Sequence, residues 1–164
     1  KNTSTGAITT RMSSGMPDLT GLSISDVATA TNVTLAADTI SVINYTGAAA
    51  ATMTLPAATA GTIVVYCQSK DTTGGTATLV FDAAGSDVWA TGSVIESRGS
   101  SEVTFDTSAA GETKLTFTPA NAATNLLTTG GQIAFICYED ATWHIATKLA
   151  AETTQVTGAF VFAA

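Results

Sequence analysis

From about Asn32 onward, apolar and polar residues alternate in short bursts broken by Gly, Ala and Asp, the period of two expected of strands with one buried face. Expected strands are 33–35, 39–45, 52–55, 62–68, 76–81, 101–106, 113–118, 132–138, 142–148 and 156–162. In the second of these, Ile40, Val42 and Asn44 oppose Ser41, Ile43 and Tyr45, and Ala37-Asp38 is the turn that precedes it. Pro56 removes a donor and holds Leu55 extended, which ends the third. The alanines 48–51 lie between Gly47 and Thr52, too short a run to nucleate a helix, so they read as a loop or strand approach. A helical turn competes only at 120–127. The loops 71–75, 109–111 and 139–141 have hairpin lengths, so antiparallel neighbours are expected. Together these features predict an all-β fold, an antiparallel β-sandwich or jelly-roll-like domain over residues 32–164.

Residues 1–31 break the pattern. They are rich in Ser, Thr and Gly, and Met12, Met16, Leu19 and Leu22 recur there without a sustained period. Such a stretch is read as an extended N-terminal arm that gains order on a partner, with those four side chains as candidate partner-binding residues. The opposite end is apolar. Phe160, Val161 and Phe162 either add a strand to a neighbouring subunit or form the last strand of the domain's own sheet.

Composition narrows the classes of function. Charged residues are 12% of the 164, about half the usual share, while threonine and alanine each supply roughly a fifth. Net charge is −7, and the six basic residues are scattered, which excludes the clustered cations that a nucleic-acid groove needs. The apolar runs are strand-sized, so no membrane span is expected. The opening at Lys1 without methionine is expected of a processed chain or of one numbered within a longer protein.

Candidate chemistry is sparse. His144 is the one histidine; alternation sets it opposite Trp143 and Ile145, on a solvated face or in a subunit contact, without a nucleophile motif. Asp82, Asp87, Glu96, Glu102 and Asp106 gather around loops, but a glycosidase pair would need sugar-stacking aromatics and only Trp89 is near. Solvated edge charges are the first reading of these carboxylates, and a calcium site at Asp82 and Asp87 the second. Cys67 and Cys137 lie in strand patterns beside large apolar residues, as buried free thiols or as a strand-to-strand disulfide; a metal site is disfavoured. Sequons at Asn2, Asn32 and Asn44 arise easily in so Thr-rich a chain. Neither an enzyme nor a cofactor or metal protein is expected.

Leu55-Pro56-Ala57-Ala58-Thr59-Ala60-Gly61 opening a strand, followed by Gly130-Gly131-Gln132-Ile133-Ala134-Phe135 and the closing Thr142-Trp143-His144-Ile145, resembles small β-domains of tailed-bacteriophage virion proteins. The resemblance covers residues 38–148. It implies a non-enzymatic capsid decoration (cement) protein on the virion surface, a homotrimer that binds the major capsid protein. A fibre or receptor-binding domain that contacts the host surface is the alternative within that family. A secreted filament subunit that polymerises by strand donation is a further one.

Overall fold

The structure is a computed structural model that describes residues 23–27, 32–72, 77–98, 103–118, 127, 130–146 and 160–164. Thirteen strands lie among the described residues: β1 (Ser23–Val27), β2 (Asn32–Thr34), β3 (Thr39–Ile43), β4 (Ala51–Thr54), β5 (Ile63–Gln68), β6 (Leu79–Asp82), β7 (Val88–Trp89), β8 (Val94–Arg98), β9 (Val103–Thr107), β10 (Lys114–Phe117), β11 (Gln132–Glu139), β12 (Thr142–Ile145) and β13 (Phe160–Ala163). A six-stranded sheet, ordered β1-β3-β5-β11-β12-β7, faces a five-stranded one, ordered β13-β10-β6-β4-β2, and β8-β9 form a ribbon. The all-β sandwich is therefore present.

Its connections differ from the expected hairpins. From β1 to β6 each strand crosses to the opposite sheet, so β1, β3 and β5 run parallel in one layer and β2, β4 and β6 in the other. Five of the ten pairings are parallel and five antiparallel. The loop 71–75 thus joins strands of different sheets, as does 109–111, and the turn Ala37-Asp38 steps across the sandwich. Only 139–141 closes a hairpin as expected, joining β11 to β12. Sheets pack about 10 Å apart, so a short loop reaches the facing sheet as readily as its own neighbour, and a period of two is the same in both.

Three strands fall outside the expected set: β7, β8 and β1. The last lies within the segment read as an arm, where its backbone pairs with β3, Ser23 beside Thr39 and Val27 beside Ile43. Of the stretch 120–127, only Leu127 is described, and it is buried.

Inward side chains of both sheets form one core. Val33, Met53, Phe81, Leu115 and Phe162 stand in register across the five-stranded sheet, and Val64, Tyr66, Ile133, Phe135, Cys137 and Trp143 face them. Aromatic rings link the layers: Tyr66 meets Phe81 edge-on at 5.1 Å between centroids, Phe81 meets Phe135 at 5.2 Å and Trp89 meets Phe162 at 5.8 Å, while Trp89 and Phe135 touch within one sheet at 5.5 Å. Each such pair contributes about 0.5–1.5 kcal/mol beyond its buried area.

Candidate functional site

Several of the described carboxylates have structural employment. Three aspartates from three loops hold the turn that follows Leu55. Asp87 accepts the Ala58 N–H at 2.6 Å, Asp140 the Ala60 N–H at 2.9 Å, and Asp38 the Ile63 N–H at 3.1 Å. Gly61 in that turn has a φ of 93°, a left-handed conformation that glycine adopts without strain. Asp87, weighed above as a calcium ligand, is buried and committed to this amide. Among the described residues no group of three His, Cys, Asp or Glu side chains is arranged to hold a metal ion.

His144 lies half-buried on the outer face of β12, edge-on to Tyr138 with ring centroids 4.8 Å apart. Its Nε2 is buried without a hydrogen-bond partner. The buried tyrosines are equally passive. Tyr66 donates to Gln68 Oε1, and Gln68 Nε2 donates to the carbonyls of Tyr45 (2.7 Å) and Lys70 (2.5 Å). Tyr45 donates to the Ala77 carbonyl, and burial pushes its phenol up to about 12. Burial pushes Tyr66 up as well.

The cysteines are both free, and the register of β5 against β11 shows why. Cys67 pairs with Gln132 on the outer face, whereas Cys137 points into the core, so the sheet separates them. Burial pushes the Cys137 thiol up, and its Sγ lies 2.8 Å from the Glu139 carbonyl.

Among the candidate partner-binding residues, Met12, Met16, Leu19 and Leu22 lie outside the described residues. Phe160 and Phe162 are core residues of β13, so of the two readings of that end the structure takes the domain's own last strand. Val161 alone of the three is exposed. Strand donation by β13 is also opposed at its edge, because Asp106 accepts the Phe162 N–H at 2.6 Å. An inward-reaching carboxylate at a sheet edge is a guard against further pairing.

The two outer faces of the sandwich differ. On the six-stranded sheet, Ile63, Val65, Ala134 and Ile136 point away from the sandwich core yet are no more than 2% exposed, so the centre of this face is buried, while Gln132 and Tyr138 toward its ends are exposed. The outer face of the five-stranded sheet is bare. Two rows cross it in register: Asn32, Thr52, Val80, Thr116 and Val161, then Thr34, Thr54, Asp82, Lys114 and Ala163. All ten are half-buried or exposed, and only one acid and one base interrupt a neutral, short-side-chain surface. Near its β13 end, on the ribbon, Phe105 is 62% exposed and Val94 48%. Their strand neighbours Ile95 and Asp106 are turned toward the body, Ile95 into the core and Asp106 onto Phe162. Sequence reasoning missed this patch because the alternation of 94–98 and 103–107 does not say which set faces inward.

Comparison of the chain with protein-family models, with curated proteins and with solved structures gives no match.

Proposed function

We propose that this protein is a non-enzymatic capsid decoration protein of the tailed-bacteriophage kind, which binds the major capsid protein through the outer face of its five-stranded sheet and stabilises the shell. The observation that carries the reading is that face: ten in-register positions, half-buried or exposed and nearly uncharged, on a sandwich whose other face is buried at its centre. Five strands of three or four residues span on the order of 300 Å². A stable one-to-one complex needs about 800 Å² per partner, so such a face works where many copies bind a repeating lattice or where an oligomer presents several faces at once. The resemblance of residues 38–148 to virion β-domains supports the same assignment.

A second reading draws on Phe105 and Val94, since an exposed aromatic on a ribbon is what a fibre or receptor-binding domain would present to a host surface. The filament reading has less support, because Asp106 guards the strand that would be donated. The test is co-sedimentation of the purified chain with capsids, paired with the thermal stability of those capsids. Decoration predicts binding in a fixed stoichiometry and a raised disruption temperature. Binding to host cells with no capsid binding would move the assignment to the fibre class, and neither would end both.

A further inference from the structure

We propose that β2 is a dimerisation edge, pairing antiparallel with the β2 of a second copy and joining two five-stranded sheets into one of ten. The case starts from how two of the other sheet edges, β13 and β7, are closed. At β13, Asp106 takes the Phe162 N–H, and at β7 the Trp89 N–H is held at 2.8 Å by the Glu112 carbonyl. Edges left unguarded are used or aggregate. Among the described residues β2 has no guard: 32–37 has no charge and no proline, Asn32 and Thr34 are exposed, and the β2-β4 register has no bulge.

The main chain is set up for a partner. Leu35 donates its N–H to Thr54 O at 2.8 Å, so strand alternation turns the Val33 amide to β4 as well and leaves the N–H and C=O of Asn32 and Thr34 pointing outward. An antiparallel mate centred on Val33 sets Asn32 opposite Thr34 of the second copy, and each pair exchanges two hydrogen bonds. Val33 meets its symmetry mate at the non-hydrogen-bonded position, where side chains approach most closely.

The side chains agree with that register. Val33 is half-buried and packs on the core cluster, and a facing Val33 covers its open flank. Asn32 and Thr34 fall on the outer face and extend both polar rows across the two-fold axis. A strand that meets its own copy this way is self-complementary and closes after two subunits. The pairing does not depend on the virion assignment.

Sedimentation velocity of the full chain across the micromolar range tests it, with two variants. Thr34→Pro removes an outward N–H while keeping the amides that hold β4. Asn32→Asp with Thr34→Asp sets carboxylates opposite one another in both pairs and keeps the side-chain oxygen that accepts the Thr52 N–H at 3.2 Å. The expected result is a dimer whose dissociation constant rises at least tenfold in each variant, with the circular dichroism spectrum unchanged. Should the proline variant misfold, the double aspartate variant decides. A monomer at every concentration, a closed trimer, or a dimer indifferent to both substitutions would overturn the proposal.

Discussion

Ala141 has a φ of 63°, a left-handed conformation that costs a residue with a Cβ about 1–2 kcal/mol. It is held there because its N–H donates to Ala58 O at 2.9 Å and its own carbonyl accepts from Val88 at 3.0 Å, which ties the β11-β12 turn to two other loops. Ala141→Gly relieves the strain and gives back part in unfolded-state entropy, so stability should rise by about 0.5–1 kcal/mol in urea titration. Asp87 is the converse case. Asp87→Ala strands the buried Ala58 N–H and should cost about 1–3 kcal/mol by the same measurement. Alkaline pH acts on the tyrosines. Tyr45 rises from 10.0 to about 12, so the folded state holds its proton where the unfolded state has lost it. Its contribution is complete below pH 10 and lost between there and about pH 12. Stability measured against pH should fall in that window, less steeply in Tyr45→Phe.

At the scale of elements, the sheet separates the thiols. Cys67 should react with a thiol reagent in the native protein, Cys137 only on unfolding, and non-reducing mass spectrometry should find no intramolecular disulfide. Strand existence was legible in the sequence because stretches such as Ala51–Thr54 and Lys114–Phe117 alternate, and because the short apolar runs Ile63–Gln68 and Gln132–Glu139 are bounded by turn residues. Strand partners were not. The same loop chemistry at Asp71 and at Glu139 serves a crossing in one case and a hairpin in the other, and only packing of the whole chain distinguishes them. β7 has two residues and is held by Trp89 in the core, below the length at which a period can be read. The bare face was half legible. Thr52 and Thr54 flanking Met53 mark an outward pair, but their alignment with Val80, Thr116 and Val161 needs the register.

For the whole molecule, the two outer faces differ: the centre of one is closed by buried apolar side chains, and the other carries ten half-buried or exposed positions with one acid and one base among them. Asp38, Asp87 and Asp140 tie loops together and Asp106 takes an edge amide, which fixes these parts of the sandwich relative to one another. The most direct measurement is a cryo-electron microscopy reconstruction of capsids incubated with this chain. Density should lie on the shell with the rows from Asn32 to Val161 and from Thr34 to Ala163 against the major capsid protein. Shells that carry no added density, or density docked through the six-stranded sheet with the threonine rows facing solvent, would contradict it.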